Sequence, residues 1–487
     1  MKRYIWSALQ FALLSGSLVS AQETPLGAEW RRERERISDA CGAFSFSSVP
    51  GCAYTLFTDH PFHIAAGSLP PQNGFGLGAA FVWSKNTTNW RLSWDVDASG
   101  ATSESWRAGG YMTMAHTPHG AKRPIKVLMP HPEGTPPESR PQEAIAADET
   151  KEKNEASFVH PYTVFNFYAQ SISLNKLYFF GLGNDSSQAG KSVYGMNQTI
   201  VGASAIKPMF EWKAIRKLNV ALLGEVNGRF VDLRGEHVQP IPSIEAVYTD
   251  ASAPGLSNQP GFAQLGEGVR IKPVMGSFEL NYLGKFQQYF APSDSHGSFL
   301  RWTVDLNHTY YLHGYKQSVV HEGTLGPDSC APSGDDCPKI PRTLNVSGSV
   351  GVRLFVSESI NSASSAVPFY FQQTLGGQDI NSALSLGSYQ DYRFRAPNVL
   401  LLQETFEHSI WGPFGLKFTA DQGRVALTRG DLGFSHLKHS FATGLTLRAG
   451  AFPMVSLLFA WGGSEGQHTI ANMNTALLGG SARPSLY

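Results

Sequence analysis

The feature that most constrains this chain is a set of short segments in which large apolar and polar residues alternate at period two. Trp90–Asp97, for example, reads Trp-Arg-Leu-Ser-Trp-Asp-Val-Asp. Other clear cases are Thr163–Gln170, Val220–Asp232, Phe278–Phe286, Leu300–Asn307, Leu344–Leu354 and Thr443–Gly450. Successive side chains of a β-strand point to opposite faces, so each segment predicts a strand with one apolar face. About fourteen to sixteen such segments fit the chain, which predicts an all-β fold.

Composition narrows the kind of β-protein. Charged residues make up 16% of the 487 residues, against about 25% in ordinary soluble domains, and Gly is abundant at 49 residues. Lys and Arg together number 39, as do Asp and Glu, so no net charge attracts a nucleic acid. The composition favours strands and turns and disfavours an α/β enzyme.

The polar faces decide between two β-architectures. They carry Asp, Glu, Arg, Asn and Gly together, which suits the interior of a closed barrel whose apolar face meets lipid. Leu92, Trp94 and Val96 are therefore expected to face outer-membrane lipid, and Asp95 and Asp97 to face inward. Aromatic residues cluster at segment ends, as interface girdles do. We predict a transmembrane antiparallel β-barrel, because lipid cannot satisfy an open sheet edge. A soluble secreted β-protein is the alternative.

The first residues predict export. Lys2 and Arg3 precede an apolar run that ends in Val19-Ser20-Ala21, the pattern of a secretory signal peptide over residues 1–21. Residues 22–70 are then expected to form an N-terminal periplasmic or plug-like segment, and residues 71–487 the barrel. The Pro-, Glu- and Lys-rich stretch 129–156 is expected to be a mobile loop.

Four cysteines suit an oxidising compartment. Cys41 and Cys52 are close in sequence, as are Cys330 and Cys337, so each pair predicts a disulfide that closes one loop. Zinc is the competing interpretation, but neither pair has CxxC spacing and no His lies nearby at ligand spacing. We therefore expect no metal site and no cofactor.

Several motifs occur in the order found in one family. Tyr178-Phe-Phe-Gly-Leu-Gly-Asn-Asp-Ser186, followed by Tyr194, resembles the FxGxGN…Y element of the bacterial surface antigen barrel, the membrane domain of the outer-membrane assembly factor superfamily (the BamA/TamA-like proteins). The later motifs are Leu375-Gly-Gly377, Leu384-Ser-Leu-Gly-Ser-Tyr389, Asp391-Tyr-Arg-Phe-Arg395, Phe418-Thr-Ala-Asp-Gln-Gly-Arg-Val425 and Gly462-Gly-Ser-Glu-Gly466. The similarity covers roughly Phe165 to Gly466.

This resemblance implies a sixteen-stranded barrel with a long loop folded into its interior. The loop is expected around Leu384–Arg395, with Arg393 or Arg395 meeting Asp421 or Glu404 on the inner wall. The residues implied for the motifs and the lumen are Gly181, Gly183, Asn184, Gly387, Ser388, Tyr389, Arg393, Arg395, Glu404, Asp421 and Gly423.

The chain departs from the family pattern in two ways. Leu386-Gly-Ser-Tyr389 lacks the Arg of the family's loop hallmark, and Gln22–Pro71 has no room for a row of POTRA domains. Assembly or secretion activity is therefore not implied. We expect a non-enzymatic, structural or pore-like protein of the cell outer membrane, with unidentified periplasmic or outer-membrane protein partners. A barrel enzyme acting on lipids is the alternative, although the sequence has no His-Glu-x-x-His motif.

Overall fold

The computed structural model describes residues 31, 35, 38, 61–116, 163–209, 218–275, 278–312, 348–362, 364–449, 452–473 and 483–487. The chain divides into two compact units, Met1–His63 and Ile64–Tyr487. In the first unit, Arg31, Glu35 and Ser38 are helical and exposed. The predicted signal peptide, the predicted loop 129–156 and all four cysteines lie outside the described residues.

Nearly all regular structure in the described residues is β-strand. The strands are β1 (Phe62–Ser68), β2 (Phe75–Asn86), β3 (Trp90–Gly100), β4 (Trp106–His116), β5 (Val164–Phe179), β6 (Ser192–Pro208), β7 (Val220–Gly235), β8 (Phe262–Ile271), β9 (Val274–Met275), β10 (Phe278–Phe290), β11 (Phe299–Leu312), β12 (Gly348–Ile360), β13 (Gln373–Leu375), β14 (Phe394–Ala396), β15 (Asn398–Trp411), β16 (Phe414–Ala426), β17 (Lys438–Ala449), β18 (Phe452–Gly463) and β19 (Gly466–Met473). The described parts of the predicted segments coincide with these strands to within one residue, and the predicted all-β fold is confirmed.

Seventeen of these strands belong to one sheet, and β13 pairs with β14 apart from it. From β2 to β8 and from β10 to β19, each long strand pairs antiparallel with the next long strand along the chain. Both β8 and the two-residue β9 pair with β10, on either side of Pro273. Counted as one interrupted strand, β8 and β9 leave sixteen strands in the sheet. β1 begins before the predicted boundary at residue 71 and pairs with β2.

The two faces of the sheet differ in the way that a membrane requires. On β7, Leu222, Val226 and Phe230 are 42%, 53% and 56% exposed, whereas Asn227 and Arg229 are 3% and 2% exposed. This arrangement, apolar outside and polar inside, is the reverse of a soluble protein and is typical of a transmembrane barrel. The soluble alternative does not fit it.

The predicted register of β3 is confirmed. Val96 is exposed, and Trp94 stacks on the exposed Trp83 of β2 with ring centroids 4.8 Å apart. Asp95 and Asp97 lie on the opposite, buried face. Among the described residues, no helix is long and apolar enough to cross a membrane.

The interior of the sheet is filled. A large cluster of buried side chains, mostly aromatic, joins the end of β5 and the start of β6 to residues between β12 and β15. We refer to residues 367–397, between these two strands, as the inward segment. The expected inward-folded loop is confirmed, because this segment packs against the buried faces of several strands.

Candidate functional site: the inward segment

The inward segment has little regular structure and bends at fixed points. It begins with a single 3-10 turn at Phe369–Phe371, and the short β13 and β14 pair with each other further on. After β13, Gly377 has a φ of 59°, and a Cβ placed on it would lie 2.7 Å from the backbone nitrogen of Asp391. Only Gly fits such a close backbone approach, so the Leu-Gly-Gly motif makes the turn.

Three non-Gly residues of the inward segment, Ser382, Leu386 and Tyr392, also adopt left-handed backbone conformations, and the last two are buried. Leu386 has a φ of 47° and Tyr392 a φ of 63°, and both are at most 1% exposed. Such conformations cost about 1–3 kcal/mol and persist only where the surroundings impose them. The contacts that hold these two residues are therefore candidates for a functional constraint.

Backbone and side-chain hydrogen bonds fix the inward segment to the wall. The N–H of Leu386 donates to Asp421 Oδ2 on β16 (2.8 Å), and the N–H of Ser388 donates to Ser440 Oγ on β17 (2.8 Å). The hydroxyl of Tyr392 donates to the carbonyl oxygen of Pro71 (3.0 Å). Leu386 is thus held by β16, and Tyr392 is held by the turn between β1 and β2.

Arg393 makes the densest set of polar contacts in the inward segment. Its Nε donates to Glu465 Oε1, in the turn between β18 and β19, and the two side chains are 5% and 7% exposed. Its Nη1 and Nη2 donate to the hydroxyl and the carbonyl oxygen of Ser186, at 2.8 and 2.7 Å. The guanidinium also lies 5.0 Å from the ring centroid of Phe180. One buried cation therefore joins three separate parts of the chain.

Among the described residues, Arg395 has no carboxylate partner. Its Nη1 donates to the carbonyl oxygen of Phe369 (2.7 Å) and its Nη2 to the hydroxyl of Tyr194 (3.4 Å). The guanidinium lies 5.8 Å from the ring of Phe179 and 5.7 Å from that of Phe369. Aromatic faces and a carbonyl oxygen stabilise this buried cation in place of an ion pair.

The partners expected for these arginines are wrong. Asp421 faces the interior as predicted, but it accepts hydrogen bonds from the Leu386 backbone and from Gln403 Nε2, not from an arginine. Glu404 is exposed on the outer face of β15, because the inward position next to it is taken by Gln403. Adjacent residues of a strand cannot share a face, so Glu404 is not a lumen residue.

The first motif meets the last part of the inward segment in space. The N–H of Gly183, whose φ is 95°, donates to the carbonyl oxygen of Arg395 (2.8 Å). Asn184 donates from Nδ2 to the carbonyl oxygen of His436 (3.1 Å). Gly181 is also left-handed, with a φ of 91°. The FxGxGN element thus forms a docking turn for the inward segment.

The remaining motif residues allow close packing. A Cβ on Gly387 would lie 2.7 Å from Ile470 Cδ1, and one on Gly423 would lie 2.8 Å from Leu375 Cδ1. The hydroxyl of Tyr389 accepts a hydrogen bond from the backbone N–H of Ser464 (3.3 Å). Each of these three residues brings the segment close to the wall.

Sequence reasoning missed several residues of this site. Glu465 lies in the Gly-Glu-Gly turn noted from the sequence, but nothing local identified it as the partner of Arg393. Ser186 and Phe369 each contribute a backbone carbonyl oxygen, which no sequence motif reports. The burial of Tyr487, 6% exposed, also had no signal in the sequence.

Burial perturbs titratable groups of the inward segment. It raises the pKa of the Asp379 carboxyl to about 6, although backbone hydrogen bonds from Ala383 and Asn381 oppose the shift. Burial also raises the pKa of the Tyr392 hydroxyl well above its usual value. In the turn after β5, burial and then the nearby Lys176 lower the pKa of Lys191. Burial in this site therefore shifts the carboxyl and the phenol toward their neutral forms.

The strand pairing, the apolar outer face and the filled polar interior define a class: a transmembrane β-barrel of the outer-membrane type, with a segment of its own chain folded inward. No protein-family model and no curated protein sequence matches the chain. Similar chains are found among solved structures.

Three of these structures show how similar the matches are in sequence and in fold. CdiB from Acinetobacter baumannii is 12% identical with a TM-score of 0.43, and the match covers 84% of this chain and 58% of that one. CdiB from Escherichia coli is 10% identical with a TM-score of 0.45, with coverages of 83% and 59%. BamA from Haemophilus ducreyi lacking POTRA domains 1-3 is 10% identical with a TM-score of 0.41, with coverages of 90% and 78%. The chain therefore spans less than two thirds of the length of either CdiB.

Proposed function

We propose that this protein is a non-enzymatic outer-membrane barrel of the bacterial surface antigen type, with a structural or pore-like role. The inward segment closes its interior. The observation that supports the proposal is the Arg393 contact set, which joins the inward segment to Glu465 and to Ser186. The apolar outer face meets outer-membrane lipid. Periplasmic or outer-membrane protein partners, and an N-terminal periplasmic or plug-like segment over the part of residues 22–70 that precedes β1, belong to the same proposal.

A buried ion pair of this kind opposes movement of the segment. Removing one partner of a buried pair typically costs about 3–5 kcal/mol, because the other charge is left without compensation. Opening a passage through the interior would break the contacts of Arg393 with both Glu465 and Ser186. The segment is therefore expected to stay in place unless an external interaction replaces those contacts.

The test is to substitute Arg393→Ala and Glu465→Gln in the full chain and to measure conductance in planar lipid bilayers. We expect both variants to show longer or more frequent open events than the unmodified protein. Arg429 provides a matched control, because its pair with Glu358 lies at the surface with the arginine side chain 54% exposed.

Stability measurements on the same preparations distinguish an effect of the substitution on folding from an effect on channel opening. Arg393→Ala should lower the free energy of unfolding by about 3–5 kcal/mol, and Arg429→Ala by about 0–1 kcal/mol. Folded Arg393→Ala protein with unchanged conductance would exclude the pore-like role and leave the structural one. Equal stability losses for the two arginine variants would contradict the role given to Arg393.

A further inference from the structure

The five residues Arg483–Tyr487 lie along the inner face of the sheet, with Arg483 and Ser485 exposed and Leu486 and Tyr487 buried. We call them the interior peptide. Leu486 and Tyr487 are each 6% exposed, and neither belongs to a strand. Gln198 Nε2 on β6 donates to the carbonyl oxygen of Leu486 (3.1 Å), and the hydroxyl of Tyr289 on β10 donates to the carbonyl oxygen of Tyr487 (3.2 Å). The inner wall therefore binds the backbone of the interior peptide.

The inward segment binds the other side of the interior peptide. Asn381 Oδ1 accepts from the backbone N–H of Leu486 (2.8 Å), and Asn381 Nδ2 donates to Ser485 Oγ (3.2 Å). Thr374 donates its backbone N–H to the hydroxyl of Tyr487 (3.3 Å). The interior peptide thus lies in a groove between the wall and the inward segment.

Charged and aromatic anchors sit at the two ends of this groove. At one end, Arg483 pairs with Asp97 of β3, whose side chain is 3% exposed. At the other end, the Tyr487 ring lies in the buried aromatic cluster that includes Tyr289 and Phe371. A buried carboxylate and an aromatic pocket, separated by groups that bind backbone, are the elements of a site for an extended peptide.

Another peptide could replace the interior peptide in these contacts. Those described for the interior peptide come from side chains and single backbone groups, and none is a ladder of strand pairing. A ligand with the same backbone, a cation and a tyrosine four residues later could form the same contacts. Such a ligand needs no new pocket, because the groove exists around the interior peptide.

We propose that the barrel interior contains a binding site for extended peptides that carry an arginine four residues before a tyrosine, and that Arg483–Tyr487 occupies it as an internal ligand. The site goes beyond the proposed function and does not depend on conductance. A peptide from another chain binds there when it displaces the internal one.

The experiment compares the full chain with a variant that ends at residue 482. A fluorescently labelled peptide of residues 481–487 is added to each protein in detergent, and binding is followed by fluorescence anisotropy. The shortened chain should bind the peptide saturably. The full chain should bind it at least about tenfold more weakly, because its tethered interior peptide competes at millimolar effective concentration. A peptide with both Arg and Tyr replaced by Ala should not bind.

Matched substitutions locate the binding. In the shortened chain, Gln198→Leu should weaken peptide binding by about two- to tenfold, the effect of losing one hydrogen bond. Gln288→Leu should leave binding unchanged, because Gln288 is exposed on the outer face of β10. Equal effects of these two substitutions would overturn the site.

A second variant keeps the proposal testable if the shortened chain does not fold. The full-length double substitution Arg483→Ala and Tyr487→Ala keeps the chain length and removes both anchors, so it should also bind the native peptide. Heat-modifiable gel mobility identifies folded protein. Folded protein of either variant that binds no peptide contradicts the proposal. Conductance of the same preparations tests the pore-like role separately.

Discussion

The carboxylate of Asp421 on β16 accepts a hydrogen bond of 2.8 Å from the backbone N–H of Leu386, a fully buried residue with a φ of 47°. A leucine in this conformation is strained, and its N–H is beyond the reach of water. Asp421 therefore acts as a backbone acceptor that stabilises a bend of the inward segment, rather than as the partner of an arginine.

Substituting Asp421→Ala tests this relationship. The change leaves the Leu386 N–H buried without an acceptor, so we expect a loss of about 1–3 kcal/mol in the free energy of unfolding. Asp421→Asn keeps an acceptor oxygen and should lose less. Urea titration in detergent measures both. The control is Asp431→Ala at the exposed turn before β17, which should change stability by at most about 0.5 kcal/mol. The role is refuted if the Asp421 and Asp431 variants lose equal stability.

Trp94 tests the outer face. Substituting Trp94→Arg should cost about 2–4 kcal/mol if this position lies near the bilayer midplane, because an arginine would face lipid. Trp94→Phe keeps an aromatic ring against Trp83 and should cost much less. Unfolding of protein reconstituted in lipid vesicles provides the comparison. A tolerated arginine would mean that this face of β3 does not meet the membrane interior.

The raised pKa of Asp379 predicts that the stability of the protein depends on pH. Its pKa of about 6 in the folded protein lies above the ordinary value of 3.8, because burial disfavours the charged form. The folded protein then binds this proton more tightly than the unfolded chain does, so stability should fall as the pH rises from about 4 to about 6. A shift of about two pKa units corresponds to about 3 kcal/mol.

The variant Asp379→Asn should abolish this part of the pH profile, which thermal unfolding between pH 4 and pH 8 would show. Tyr487 hydrogen-bonds the Asp379 carboxyl, and the charge of Arg353 also acts on it. Tyr487→Phe therefore serves as a second variant, which should alter the slope without removing it. An unchanged profile in Asp379→Asn would assign the pH dependence to other groups.

The pairing of the four cysteines remains a prediction from the sequence. Cys330–Cys337 and Cys41–Cys52 should form two separate disulfides outside the hydrocarbon zone. Mass spectrometry of the unreduced, digested protein measures the pairing, and free thiols or a crossed pairing would contradict it. Replacing either pair by Ser should leave the barrel folded, since strand pairing does not depend on these loops.

The strands and their faces could be predicted because side-chain direction in a strand is set by the local backbone. The alternation in Trp90–Asp97 therefore identified both the buried and the exposed positions of β3. Glu404 was misplaced because the preceding run Val399-Leu-Leu-Leu402 is apolar on both faces and leaves the facing of the next residues undetermined.

The partners of the buried arginines could not be predicted in the same way. Glu465 lies 72 residues from Arg393, and the choice among several interior carboxylates depends on how the sheet curves. The interior peptide has no periodic pattern, and a short polar sequence of this kind ordinarily predicts an exposed segment. Its burial follows from the shape of a groove that only the complete sheet creates.

The contacts of the interior also determine the order in which the protein can be assembled. Tyr392 and Pro71 are 321 residues apart, and Gln198 and Leu486 are 288 apart, so each contact needs distant parts of the chain. Contacts of such long sequence separation form slowly and late. During synthesis and delivery, the aromatic side chains that later fill the interior have no partners and are open to aggregation. These side chains therefore lack their partners until both members of each such contact have been synthesised.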